Sequence, residues 1–144
     1  MHSLRSCLPV RLLLALAIAV PAASCGSEAT STTAPSPTTT TTSFTGTVAQ
    51  LGSSGHAFTV TTTGPVTIGL TSLAPLATMA MGVGIGTWDG TTCGTAVSKN
   101  DNARSGSTAL SGTASAGNYC VLVYDSGNIL EGIEVSYTVD VTRP

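Results

Sequence analysis

The sequence is poor in charge: only 8% of its 144 residues are Asp, Glu, Lys or Arg, and five basic residues stand against seven acidic ones. A chain with a formal charge of -2 cannot neutralise a run of phosphates, so nucleic acid is excluded as a partner. Imidazole is almost absent. The two histidines are His2 and His56, and the first lies in a leader expected to be removed. A serine nucleophile needs a base within hydrogen-bond reach, and only His56 and Lys99 offer one. Ser98 and Lys99 are chain neighbours without dyad spacing, and His56 follows Ser53-Ser54-Gly55; both read as solvated surface residues. No catalytic residue, metal site or cofactor is expected, and the protein is read as not an enzyme. Zinc needs more ligands than two cysteines and a distant His56 supply. Long apolar runs are missing as well. The longest, Leu12 to Val20, has nine residues, whereas a membrane span needs about 20.

That run follows Arg5 and Arg11 and ends at Pro21, which is the pattern of an export signal over residues 1–24. The site Ala22-Ala23-Ser24-Cys25 resembles the lipobox of bacterial lipoproteins, and the resemblance implies Cys25 as the lipidated residue. Ala22 stands where that family usually has an aliphatic residue, and Ala22 with Ser24 also suits the ordinary signal peptidase, so secretion without a lipid is the alternative. Cysteine arithmetic favours the lipid. Cys7 leaves with the signal and Cys93 and Cys120 pair, so Cys25 would otherwise be an odd thiol in an oxidising space. The expected location is extracytoplasmic, with the membrane as a partner through the N-terminal lipid.

Residues 26–43 hold 14 Ser, Thr or Pro among 18 and have no aromatic residue. Such a segment has nothing to bury, so 25–43 is read as lipidated Cys and disordered tether. From Phe44 onward, short runs of Val, Thr, Ile and Tyr alternate with Gly and Ser clusters, and residues 44–144 read as an all-β domain. Strands are expected over Phe44–Leu51, His56–Thr63, Val66–Leu73, Thr78–Trp88, Ser107–Ala114, Tyr119–Asp125 and Glu131–Thr142. Tyr119–Asp125 is apolar on both faces and belongs in the middle of a sheet. In Glu131–Thr142, Ile133, Val135, Tyr137, Val139 and Val141 point inward. Thr95–Ser107 reads as a polar loop. Seven or eight antiparallel strands in this length imply a β-sandwich of jelly-roll type.

The run Ala109–Val141, with the turn Ser115-Ala116-Gly117-Asn118, then Tyr119-Cys120-Val121-Leu122-Val123-Tyr124-Asp125-Ser126-Gly127 and Tyr137-Thr138-Val139-Asp140-Val141, resembles the bacterial pre-peptidase C-terminal domain family. Phe44-Thr45-Gly46-Thr47-Val48, Phe58-Thr59-Val60 and Gly64-Pro65-Val66-Thr67-Ile68 extend the similarity over nearly all of 44–144. The resemblance implies a jelly-roll accessory module, in some members binding calcium, collagen or polysaccharide. This chain has no peptidase domain and no acidic cluster matching the calcium sites, so metal binding is not carried over.

Cys93 and Cys120 are the only cysteines of the domain, and a disulfide between them is expected in an exported protein. Closing the 26 intervening residues stabilises by about 3.6 kcal/mol in the chain-entropy account. The strand Thr78–Trp88 places Met79, Met81, Val83 and Ile85 on one face and Ala80, Gly82, Gly84 and Gly86 on the other. Glycines at alternate positions imply that a backbone, ring or loop approaches closely. Trp88, the only tryptophan, lies on the glycine face. It is read either as a platform for a sugar ring or as a cover for its own strand's glycines. Asp89, Asp101, Asp125, Glu131, Glu134 and Asp140 are scattered; only Asp125 and Glu131, bracketing a glycine hairpin, suggest a shared cation. Two functions are carried forward. One is a binding module for polysaccharide or another envelope polymer; the other is a structural or protein-interaction component of the envelope with no small ligand. An aromatic row near the glycine strand would favour the first, and a smooth Thr/Ser surface the second.

Overall fold

A computed structural model describes residues 38–144. The expected signal peptide, Cys25 and the tether as far as residue 37 lie outside the described residues. Eight strands follow in chain order: β1 Thr40–Ala49, β2 Ser53–Val60, β3 Gly64–Ala74, β4 Ala80–Trp88, β5 Cys93–Arg104, β6 Ser107–Ala114, β7 Gly117–Tyr124 and β8 Glu134–Arg143. They form two four-stranded sheets, β1-β8-β3-β6 and β2-β7-β4-β5, with every pairing antiparallel. Successive strands mostly cross from one sheet to the other, and the result is the jelly-roll sandwich expected from the sequence.

The alternation of side chains builds the core. In β8, Val135, Tyr137, Val139 and Val141 are buried between the sheets, beside Val48 of β1 and Val66, Ile68, Leu70 and Leu73 of β3 on the same inner face. The opposing sheet contributes Phe58 and Val60 from β2, Met81 and Val83 from β4 and Val121 and Val123 from β7. β7 lies between β2 and β4, which explains why its residues are apolar on both faces.

Four sequence expectations are corrected. β1 begins at Thr40, so residues 40–43, expected in the disordered tether, are strand: Thr41 and Thr42 pair with Thr142 and Val141 of β8. A Thr-rich segment has strong strand propensity once a neighbouring strand supplies the ladder. The polar stretch from Thr95 is strand β5, not a loop, and it pairs with β4 through three register shifts. It is a sheet edge, where polar and charged residues are tolerated because one side stays in water. β2 starts at Ser53, and His56 lies inside it, half-buried, rather than at its start in solvent. Ile133 precedes β8 and is exposed.

Candidate functional site

The glycine face of β4 is closed by the molecule itself. A Cβ at Gly82 would run into the Tyr124 ring, and one at Gly86 would lie 2.7 Å from the Gly94 carbonyl oxygen and 3.4 Å from Cys120 Sγ. At Gly84 the nearest group is the Ala96 Cβ, at 3.1 Å. A ring and a folded-over strand therefore occupy the face, as the alternating glycines imply. The atoms nearest these three glycines come from Tyr124, β5 and Cys120 rather than from Trp88. It is half-buried at the end of β4, in register with Cys93. Tyr124 is fixed by its hydroxyl, which donates to Asp101 Oδ1 at 2.5 Å. Burial first, then the hydrogen bond and charge of Asp101, push the Tyr124 phenol up to about 12.

Cys93 and Cys120 are bonded, with Cα atoms 5.7 Å apart. β5 and β7 are separated by β4 in the sheet, so the bridge passes over β4 at Gly86. Cys93 also lies over Gly55 of β2, where a Cβ would come within 3.3 Å of its own. Glycine at 55 and 86 makes the space for this crossing.

The remaining chemistry-bearing side chains are committed to structure. His56 Nε2 is 2.7 Å from the Tyr137 hydroxyl, and its ring stacks on Phe44 with centroids 5.0 Å apart. Burial lowers the His56 pKa, so the neutral ring is favoured. No serine is bonded to it; Ser54 instead meets the Tyr137 hydroxyl. Lys99 pairs with Asp101 at 3.2 Å on the surface. The Asp125 carboxylate is committed to backbone N–H groups. Its Oδ1 accepts from the backbone N–H of Gly127, Asn128 and Ile129, and its Oδ2 accepts from that of Leu51. These four bonds outweigh its desolvation and hold its pKa below the ordinary carboxylate value. Asp89 similarly accepts from the N–H groups of Thr91 and Thr92 and from the Thr92 hydroxyl. Among the described residues no cluster of three His, Cys, Asp or Glu is placed to hold a metal ion.

Two concavities stand out among the described residues. One is a cleft of about 430 Å³ where the sheets part between the edge strands β5 and β6, with Val66, Ile68, Ile85 and Leu110 in its walls. It exists because β6 turns small residues inward: Gly112, opposite Val66, has open space where a Cβ would be, and Ala114 follows. The other is a shallow trough of about 470 Å³ on the outer face of the β1-β8-β3-β6 sheet. Its floor is Gly69, and Thr41, Thr67, Thr71, Thr108, Thr142 and the single carboxylate of Asp140 surround it. Cross-strand register builds it: Thr41, Thr142, Thr67 and Ser111 form one row, and Ser43, Asp140, Gly69 and Thr108 the next. Thr41 and Thr142 are hydrogen-bonded to each other at 2.8 Å. Neither concavity contains Trp88.

No protein-family model matches the chain, and no curated protein matches it. The functional reading therefore rests on the geometry above. The trough was not visible in the sequence because its residues come from four strands, and a threonine in a β-rich chain carries no sign of which face it shares with others. The alternation of Thr and Ser against Val and Ile in β3 and β8 was the available signal.

Proposed function

We propose that this protein is a non-enzymatic, extracytoplasmic lipoprotein whose jelly-roll domain binds a neutral polysaccharide or another envelope polymer along the trough on its Thr/Ser face. The observation that carries the reading is the trough: the face lacks the aromatic row of a ring-stacking site, but it is concave rather than smooth, an open, hydroxyl-lined hollow with one carboxylate acceptor. Polymer hydroxyls exchange water for Thr hydroxyls and Asp140 there, and an open hollow admits a chain whose ends lie elsewhere. The export pattern of residues 1–24, the lipobox-like Ser24-Cys25 and the Cys93–Cys120 bond support the location. A pre-peptidase C-terminal-like module, as the resemblance read from the sequence implies, would play an accessory, binding role.

Calorimetric titration with envelope polysaccharides tests this. Gly69→Val fills the hollow and should abolish binding. Asp140→Ala should weaken it about tenfold or more, the scale of a hydrogen bond to a charged group. Loss of binding in Trp88→Ala with Gly69→Val unaffected would move the site to Trp88 and refute the trough. The anchor has its own test: the mature protein should partition into detergent, Cys25→Ala should not, and an unmodified Cys25 by intact mass would refute lipidation. The second reading, a structural or protein-interaction component with no small ligand, is favoured by the lack of any aromatic residue on the Thr/Ser face. It takes over if no envelope polymer titrates.

A further inference from the structure

Of the five large aliphatic side chains exposed among the described residues, Val97 stands apart on the edge strand β5 and the other four gather in one place. Leu51 is 87% exposed, Leu130 71%, Leu76 52% and Ile133 39%. All four lie at one end of the sandwich, in the β1–β2 turn, the β3–β4 loop and the β7–β8 loop. Hydrogen bonds tie these segments together. Asp125 accepts from the Leu51 N–H, the Asp125 N–H donates to the Gly52 carbonyl, and the Asn128 side chain donates to the Ala80 carbonyl. Leu130 and Ile133 close one turn of the same loop through the Ile133 N–H and the Leu130 carbonyl.

Leu51 is the most informative of them. Its φ is +56°, in the left-handed region that suits Gly or Asn and disfavours a branched aliphatic residue. A leucine there is unfavourable for the backbone and gains nothing from burial. Neither folding nor solubility accounts for it, whereas an apolar contact outside the molecule does.

We propose that this end inserts into the interfacial region of a neutral lipid bilayer. Three separate segments each present aliphatic tips beside polar neighbours such as Gln50, Asn128 and Glu131. A protein partner would need a socket for each tip, and leucine is under-represented among the residues that dominate such interfaces. A lipid phase accepts any arrangement of aliphatic groups. Charge sets the class of lipid. Glu131 and Glu134 are exposed at this end, Asp125 is occupied by backbone N–H groups, and Arg104 donates to the Thr78 carbonyl. Acidic groups are thus in excess, which disfavours anionic headgroups. The chain enters β1 at the opposite end, at Thr40. If Cys25 carries the anchor proposed above, the 13 residues from there to Thr38 reach about 43 Å when extended, more than the roughly 33 Å length of a ten-residue strand. The domain can then turn over onto its own membrane.

The test uses the chain from residue 25 with Cys25→Ala, so that neither leader nor lipid contributes; every core residue lies within 44–144. It should float with phosphatidylcholine vesicles, and adding phosphatidylserine should not strengthen binding. The double variant Leu51→Asn, Leu130→Asn should bind at least tenfold more weakly while unfolding at the same denaturant concentration or higher, because Asn suits a left-handed residue. A protein that stays with the soluble fraction, binding that requires phosphatidylserine, or a variant that binds as the parent would each overturn the proposal. So would a parent dimer that the variant loses, since the end would then be an interface between copies. Because Cys25→Ala is used throughout, failure of the anchor would leave this result unchanged.

Discussion

The two ends of the sandwich are built from the same strands but differ in what their connections expose. At the end where Thr40 enters, the connections are short and polar: Thr61 to Thr63, Asp89 to Thr92, and Ser115-Ala116. The Cys93–Cys120 bridge lies toward this end and ties β5 to β7 across β4. At the other end the β1–β2, β3–β4 and β7–β8 connections, the last of nine residues, carry Leu51, Leu76, Leu130 and Ile133 into solvent. There a single carboxylate, Asp125, gathers four backbone N–H groups from two segments. The comparison teaches that a loop with apolar tips cannot be secured by burying them, so its order has to come from backbone hydrogen bonds. The polar end uses the same device on a smaller scale: Asp89 accepts from the N–H groups of Thr91 and Thr92 within one four-residue turn.

The largest effect expected is loss of the bridge. Cys93→Ala with Cys120→Ala should lower stability by about 3.6 kcal/mol, read by urea unfolding, and amide exchange should rise at Trp88 and Gly94 while Gly127 to Ile129 keep their protection relative to the global value. Equal loosening at both ends would break the comparison. Asp125→Ala should remove about 1–2 kcal/mol, the scale of a lost side-chain cap. It should speed exchange at Leu51, Gly127, Asn128 and Ile129 and spare Thr91 and Thr92, which depend on Asp89. Protection unchanged at Leu51 would refute the role given to Asp125. Between the ends, Gly112→Ala should raise stability by about 0.5–1 kcal/mol, since the Cβ enters open space in the cleft and glycine weakens a strand. Destabilisation would mean that the cleft is narrower than described.

The smallest effect is that of pH on His56. Burial lowers its folded pKa below the ordinary 6.5, so the unfolded chain binds a proton that the folded one resists. Stability should be full above about pH 6.5 and decline as pH falls from there through the folded value. The decline should disappear in His56→Gln, measured by thermal unfolding between about pH 7.5 and 5; a decline unchanged by the substitution would place its source elsewhere.

Much of the sandwich was legible because alternation in a half-buried strand is a local property. β3, β6 and β8 fall close to their expected spans, and the apolar character of β7 on both faces led to its central position. β5 was missed for a physical reason: an edge strand keeps one side in water, and its polar side chains look the same as those of a loop. His56 was misplaced because the strand was started three residues late, and only the approach of Tyr137 and Phe44 from the other sheet shows that the ring points inward. The glycines of β4 announced a close approach, yet what approaches, the Tyr124 ring and the crossing of Cys93 to Cys120, depends on strand order.

The amino-acid pattern by itself determined the all-β class, the number of strands within one and the pairing of the two domain cysteines, because period-two burial and cysteine count need no knowledge of neighbours. The tertiary structure decided which threonines share a face around Gly69, that the Tyr124 ring and the crossing disulfide lie over the glycines of β4, and that four aliphatic residues from three segments meet at one end. Those are relations between residues far apart in the chain, and only the order in which the strands pair brings them together.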